Sequence, residues 1–218
     1  QAAGVDWLPP AGDPQAVPEQ AAAILLAQAT RLVAQAQQWR TAGCAPPQFG
    51  FSVSAAALLQ PRFAEALSSC FSRTTLAADT VLLHIGEAVF RRPAEYTECL
   101  NALHLAGFRL AMEGDGPTAI SLADFSRFPF DAYRLNRDFV RQLLGESLHG
   151  SLRRLATAAI AAAQSLGAVV IATGVDHDDS LQALRLIGVR YMQGRRFMAP
   201  VGAADLPTAW ASSNEAGA

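Results

Sequence analysis

Four acidic side chains stand where predicted strands end and could contribute to a divalent-metal site. Glu113 and Asp115 share one loop, and Glu87 and Asp176 follow two other strands. Metal-assisted hydrolysis needs one or two cations to activate water, and hard cations need several converging carboxylate or amide oxygens. Acidic groups spread over three loops are too few for a convincing metal pair. The Gly/Pro-containing loop of Glu113 and Asp115 is more typical of a turn.

Other reactive side chains give weaker indications. His84 ends an apolar strand, and no second ligand cluster accompanies it, which favours a structural histidine over a metal ligand. Arg134 leaves two interpretations open, because it could bind a phosphate or pair with Glu113. The three cysteines lie far apart without a CxxC spacing, so buried thiols in a reducing cytoplasm are favoured over a metal or disulfide framework.

The elements that must position these residues alternate between strand and helix. Residues 80–85 form a continuous apolar strand of the kind buried on both faces of a parallel sheet, and residues 168–172 are predicted as a further strand. Helices are predicted over 19–41 and over 55–71, the second with a break at Pro61. No GxGxxG follows a strand, so a barrel of βα units is favoured over a doubly wound sheet. Function in such a barrel lies in the loops after the strands.

Composition excludes several classes of protein. The 218-residue chain is 51% apolar and 17% charged, which is typical of a well-buried α/β domain. Its net charge of -2, without a basic stripe, predicts no nucleic-acid polymer as a partner. No apolar run reaches the roughly 18 residues of a membrane helix, so no membrane contact by this domain is expected. The chain begins with Gln1, which predicts a fragment or processed product, with membership in a larger, membrane-attached protein left open.

Three segments of the last third have a telling order and spacing, namely Phe128–Val140, Ser165–Asp176 and Gly188–Pro200. Together they resemble the C-terminal half of an EAL domain, the bacterial cyclic-di-GMP phosphodiesterase module. The resemblance covers roughly residues 5–201 and implies an α/β fold, an EAL-type TIM-like (β/α) barrel. Compared with the family, this chain lacks the EAL tripeptide and the first strands of the barrel. Because open sheet edges invite pairing, we expect those strands elsewhere in the full-length protein or a neighbouring chain in their place.

Most acidic metal positions of the family carry other residues here. Ser52 stands where the V-N-L-S strand of the family has Asn, and His84 stands at the metal-binding Glu of L-E-I-T-E-S. The D-D-F-G-T-G motif keeps Glu113 at its first position but has Gly114 at its second. E-G-V-E begins with Thr173 in this chain, so a further acidic ligand is lost.

The remaining motifs are partly kept. Arg134 and Asn136 replace the Lys and Asp of K-I-D, and Arg is not a substitute for Lys as a proton donor. Gln193 matches the family and could bind a guanine edge, although a bond within its own loop is favoured. Phe197 and Pro200 match a segment that can lie against a guanine base, whereas an aromatic residue at a strand end more often packs on a helix.

The resemblance therefore implies a vestigial nucleotide-binding pocket, with no catalytic residue, no metal site and no cofactor. Its predicted residues are Ser52, His84, Glu113, Arg134, Asn136, Thr173, Gln193, Phe197 and Pro200. The predicted domain spans residues 1–206, with a loop over 1–18, and a frayed C-terminal tail follows at 207–218.

The resulting expectation is a catalytically inactive EAL-type signalling module in c-di-GMP regulation. It would act in the cytoplasm as a regulatory or protein-interaction domain, or as a receptor that binds c-di-GMP without hydrolysing it. Other signalling domains or proteins and a second copy in a homodimer are further candidate partners. Two alternatives stay open, an active phosphodiesterase that releases pGpG and an unrelated barrel enzyme whose spacing mimics the family.

Overall fold

Parallel strands and helices alternate along the chain, which confirms the predicted α/β class. The computed structural model describes residues 5–6, 17–46, 48–72, 74–114, 127–144 and 150–215. The chain divides into two compact units. The first unit comprises Gln1–Ile85, Arg92–Arg109 and Val201–Ala218, and the second comprises Gly86–Arg91 and Leu110–Pro200.

The first unit contains three parallel strands, β1 (Val5–Asp6), β2 (Phe49–Val53) and β3 (Val81–Gly86). The prediction that residues 1–18 form only a loop is wrong at β1, where two residues pair with the start of β2. β2 and β3 are almost continuously buried, as expected for parallel strands covered on both faces. Their register places Ser52 opposite His84.

Helices α1 (Pro18–Thr41), α2 (Ala55–Leu58), α3 (Phe63–Phe71) and α4 (Pro93–Leu105) belong to the first unit. α1 begins with a proline, whose missing N–H is harmless there, and buries Leu25, Leu32 and Trp39. The break predicted at Pro61 is confirmed, because α2 ends at Leu58 and α3 begins only at Phe63.

The second unit contains β4 (Arg109–Gly114), β5 (Ala132–Leu135), β6 (Val169–Ala172) and β7 (Tyr191–Met192), whose neighbours pair in parallel. Its helices are α5 (Arg137–Leu144), α6 (Gly150–Ser165) and α7 (Asp178–Leu186). β4 runs through Gly114, so the prediction that Glu113 belongs to a turn is wrong. Asp115 lies outside the described residues.

Aromatic packing and a local carboxylate hold the second unit together at the start of β5. The rings of Phe90, Phe128 and Phe130 meet edge to face, with centroids 5.7 to 6.1 Å apart. Asp131 Oδ2 accepts a 2.9 Å hydrogen bond from the backbone N–H of Leu110 and so ties β5 to β4. The first matched sequence segment thus contributes core packing as well as strand-end residues.

The C-terminal tail contains helix α8 (Leu206–Glu215), where the sequence predicts a frayed segment. Leu206 is buried, and the indole N–H of Trp39 donates a 2.7 Å hydrogen bond to the carbonyl of Ala203. The start of α8 and the residues just before it are therefore held in the first unit, in part by a contact with a residue far away in the chain, which local composition does not reveal.

Candidate functional site

Ser52 and His84 are the two predicted pocket residues in the first unit. They lie opposite each other on the neighbouring strands β2 and β3. Ser52 is exposed, whereas only 3% of His84 is accessible. A small exposed hydroxyl and a buried imidazole thus lie side by side on these two strands.

Glu113 and Arg134 form the centre of the strand ends in the second unit. They lie opposite each other on β4 and β5, and Arg134 Nε is 3.7 Å from Glu113 Oε1. The Arg134 side chain is 8% exposed and that of Glu113 is 30% exposed. Of the two interpretations that the sequence leaves open for Arg134, the structure shows the ion pair with Glu113.

Gln193 extends this pair into a row of three polar side chains. Its Oε1 lies 3.4 Å from Arg134 Nη2, and its backbone N–H donates a 2.8 Å bond to Ala172 O. The interpretation that the Gln193 side chain bonds within its own loop is therefore wrong, since its recorded side-chain partner is 59 residues away in the chain. The planar guanidinium contacts a carboxylate on one side and an amide on the other, an arrangement suited to its fixed fork of donors.

The side chains of Asn136 and Thr173 form hydrogen bonds with the backbone. Asn136 Oδ1 accepts a 2.8 Å bond from the N–H of Phe139, which makes Asn136 the N-cap of α5. Thr173 Oγ1 donates a 3.0 Å bond to Leu135 O, and the Thr173 N–H donates to the same carbonyl at 2.9 Å. Both positions, predicted as pocket residues, stabilise the local chain path after β5 and β6.

Phe197 and Pro200 lie beyond β7. The N–H of Phe197 donates a 3.0 Å bond to Gly194 O in a turn, and half of its surface is exposed. Pro200 is exposed. Whether the Phe197 ring packs on a helix or lies against a base stays a prediction.

A residue outside the predicted pocket, Asp176, uses both of its carboxylate oxygens in polar contacts. Its Oδ1 accepts a 3.0 Å bond from the N–H of Arg195, and its Oδ2 pairs with the guanidinium of Arg137. The backbone N–H of Arg195, followed by the bond from Arg137, lowers the pKa of Asp176 below its ordinary value. The sequence indicates Asp176 only as an acidic side chain after a strand, too isolated from other carboxylates for a convincing metal site. The arginines at 137 and 195 were the available indication of a charge network.

No group of three His, Cys, Asp or Glu residues suited to a metal ion occurs within the described ranges. Glu87 belongs to a 3₁₀ turn, Glu87–Arg91. In the same described part of the chain, no helix combines the length and apolarity needed to cross a bilayer.

Comparison with known proteins gives one family and a set of similar folds. The profile of the EAL domain matches residues 15–200. The cyclic di-GMP phosphodiesterase RocR of Pseudomonas aeruginosa is 28% identical over 157 residues, which cover 72% of this chain and 39% of RocR. The probable cyclic di-GMP phosphodiesterase PdeA of Escherichia coli is 27% identical over 160 residues, covering 73% of this chain and 22% of PdeA. The chain thus spans well under half the length of these relatives.

Solved structures show the same fold. The EAL domain of Mycobacterium smegmatis DcpA superposes with a TM-score of 0.75 at 24% identity, over 88% of this chain and 86% of that one. The PaMucR phosphodiesterase in complex with c-di-GMP gives a TM-score of 0.76 at 19% identity, over 86% of this chain and 75% of that one. These likenesses confirm the EAL-type α/β barrel fold that the sequence predicts.

Proposed function

Because the chain belongs to the EAL domain family, we propose that it is a c-di-GMP signalling module that no longer hydrolyses the nucleotide. It acts as a regulatory or protein-interaction domain or as a non-hydrolysing receptor. The observation that carries this proposal is the Arg134–Glu113 pair. Among the compared acidic metal positions, Glu113 is the retained carboxylate, and a nearly buried guanidinium lies 3.7 Å from it.

The retained carboxylate is already in an ion pair. A divalent metal would have to share Glu113 with Arg134, which contacts Gln193 as well. The Lys of K-I-D places a cation at the same position in the family, so the positive charge by itself does not oppose a metal. A metal is disfavoured because the residues at the other compared positions, Ser52, His84, Gly114 and Thr173, supply no carboxylate beside Glu113.

The receptor form has support from the comparisons. The PaMucR structure is a complex with c-di-GMP, and the chain shares the fold of that protein over 86% of its length. Arg134 also supplies a planar fork of charged donors suited to a phosphate. We propose that bound c-di-GMP contacts Arg134, Gln193 and the half-exposed Phe197. Its binding then needs no metal or other cofactor.

The second candidate function is an active phosphodiesterase that releases pGpG. It is favoured by the relatives RocR and PdeA, both of which carry the name of cyclic di-GMP phosphodiesterase. It requires the replacements at the compared metal positions to be tolerated together. Cytoplasmic location, a homodimer, other signalling domains or proteins as partners, and a domain boundary at residue 206 are further proposals on family grounds.

The test is calorimetric titration of c-di-GMP into the 218-residue chain, with EDTA, Mg²⁺ or Mn²⁺, followed by chromatography of the nucleotide. RocR serves as the positive control for turnover. We expect binding that is unchanged by metal, or no binding, and no pGpG in either case. Metal-dependent release of pGpG would establish the phosphodiesterase instead.

A matched pair of variants tests the receptor form. Arg134→Gln removes the nearly buried guanidinium, whereas Arg141→Gln removes an exposed one that pairs with Asp138 on α5. If the receptor form holds, Arg134→Gln weakens c-di-GMP binding by at least about tenfold, the effect of losing one charge-assisted hydrogen bond. Arg141→Gln leaves the affinity within about twofold. Equal changes of affinity in the two variants would indicate that c-di-GMP does not bind at Arg134.

A further inference from the structure

Asp176 connects three separate segments of the second unit. It follows β6, accepts from the N–H of Arg195 in the loop after β7, and pairs with Arg137 in the first turn of α5. We call these three residues the Asp176 clamp. A single carboxylate with both oxygens in use therefore holds the residues after β6 to the loop after β7 and to the start of a helix.

The backbone approaches closely at the same place. Val175 N–H donates a 3.0 Å bond to Gln193 O, and Arg196 N–H donates a 3.2 Å bond to Val175 O. A Cβ atom on Gly194 would lie 2.2 Å from Val175 O, and one on Gly174, which has φ +74°, would lie 2.4 Å from Arg137 Cγ. Only glycine avoids both contacts, so the loop after β7 packs directly on the residues after β6.

The loop that the Asp176 clamp holds also contains Gln193. Gln193 precedes the glycine that packs on Val175, and its carbonyl accepts from Val175. Its side-chain amide lies next to Arg134. Charge-assisted bonds to a carboxylate are stronger than neutral ones, so the Asp176 contacts are well suited to fix the path of this loop.

We propose that Asp176 is the positioning residue of loop 193–197, and that it holds the loop and Gln193 in their place before any ligand arrives. Asp176 itself touches no ligand in this proposal. The positioning role goes beyond the proposed function, and only its consequence for nucleotide binding rests on that function.

The clamp has a defined dependence on pH. The charged groups that face Asp176 are Arg137 on α5 and Arg195 after β7, while Arg196 pairs with Asp178 beside it. The imidazole of His177 is next in the chain and exposed. Because the folded pKa of Asp176 lies below the ordinary value, the clamp is complete above that ordinary value, near 4. It is lost as the pH falls through the lowered pKa of the folded protein.

Hydrogen exchange of the amides of residues 193–197 in the 218-residue chain tests the proposal. Asp176→Asn keeps the shape and removes the charge, and Asp179→Asn makes the same change at an exposed residue in the first turn of α7. We expect at least about tenfold faster exchange of the Arg195 amide in Asp176→Asn, as for a lost charge-assisted bond. Exchange in Asp179→Asn stays within about twofold of the wild type.

Two further readouts separate positioning from a general structural role. After correction for intrinsic exchange, protection of the loop in the wild type falls at acid pH, whereas in Asp176→Asn it does not change with pH. Arg137→Gln, which leaves the carboxylate in place, loosens the loop to a lesser degree and serves as the second variant if Asp176→Asn does not fold. Equal exchange in Asp176→Asn and the wild type, or protection without pH dependence in the wild type, would overturn the proposal.

The hydrogen-exchange experiment contains no nucleotide. It therefore tests the positioning role of Asp176 independently of whether the chain binds c-di-GMP. An unchanged loop in Asp176→Asn removes the positioning role whatever the titration shows. If the wild type binds c-di-GMP, a weaker affinity of at least about threefold in Asp176→Asn at neutral pH supports the proposal. An unchanged affinity overturns the claim that the clamp positions Gln193 for the ligand.

Discussion

The predicted pocket residues of the second unit include a row of polar side chains in contact, whereas those of the first unit are an exposed serine and a buried histidine on neighbouring strands. In the second unit, Glu113, Arg134 and Gln193 form a row, and Asp176 ties two loops and a helix together. In the first unit, Ser52 is exposed and His84 is buried on the neighbouring strand. The predicted pocket residues therefore lie in different environments in the two units.

The difference lies in how each unit accommodates its polar side chains. In the second unit, the Arg134 guanidinium lies beside the Glu113 carboxylate, 3.7 Å from it. In the first unit, the imidazole of His84 is buried on β3 between Leu83 and Ile85, which are fully buried. A parallel strand that is buried on both faces accepts a polar side chain only if that side chain packs well.

The largest effect is expected from Gly194→Ala in the second unit. The new Cβ would lie 2.2 Å from Val175 O, so the loop after β7 must move and lose backbone hydrogen bonds. We expect the free energy of unfolding in urea to fall by about 2–3 kcal/mol, the cost typical of overpacking. Gly86→Ala is the control, because nothing lies within 4 Å of its added Cβ, and it should change stability by less than about 0.5 kcal/mol. Comparable losses in both variants would contradict the close packing of the loop.

A second prediction concerns the first unit. His84→Ala removes a side chain that is 3% exposed, and we expect a loss of about 2 kcal/mol in the free energy of unfolding, as for cavity formation in a core. Ser52→Ala, on the strand alongside, should stay within about 0.5 kcal/mol because Ser52 is exposed. Urea unfolding of both variants measures the contrast. A larger loss of stability in Ser52→Ala than in His84→Ala would contradict the expected contrast between an exposed and a buried position.

The smallest of these effects is expected at Asn136. Asn136→Ala removes the oxygen that accepts from Phe139 N–H at the start of α5, and loss of an N-cap costs about 1 kcal/mol. Asn136→Ser keeps a capping oxygen and should restore most of that stability. If the proposed receptor binds c-di-GMP, neither change should alter the affinity more than about threefold. A serine variant that is as unstable as the alanine variant would show that capping is not the role of Asn136.

Much of the fold was predictable from local patterns. The apolar runs at β3 and β6, the alternation of strands with helices and the break at Pro61 all appear in the structure. β1 and α8 were not predicted. β1 is only two residues long and depends on pairing with β2. The tail is held by Leu206 and by a bond from Trp39 to Ala203, 164 residues away in the chain.

The candidate site was predictable as a set of positions but not as a set of contacts. The family motifs located Glu113, Arg134 and Gln193 correctly at strand ends. They did not indicate that Asn136 caps a helix or that Asp176 joins three segments. The motifs describe which residue types occupy ligand positions, whereas capping and clamping depend on backbone donors whose direction is fixed only after the strands pair.

Local patterns and motifs in the chain were enough to give the α/β class and the membership in the EAL family. The partners of the polar side chains followed only from the folded structure. Strand register placed Arg134 opposite Glu113, and the close approach of Gly194 to Val175 brought the Arg195 N–H to Asp176. Hydrogen bonds and ion pairs act over a few ångströms, so residues distant in the chain become partners only when packing has brought them together.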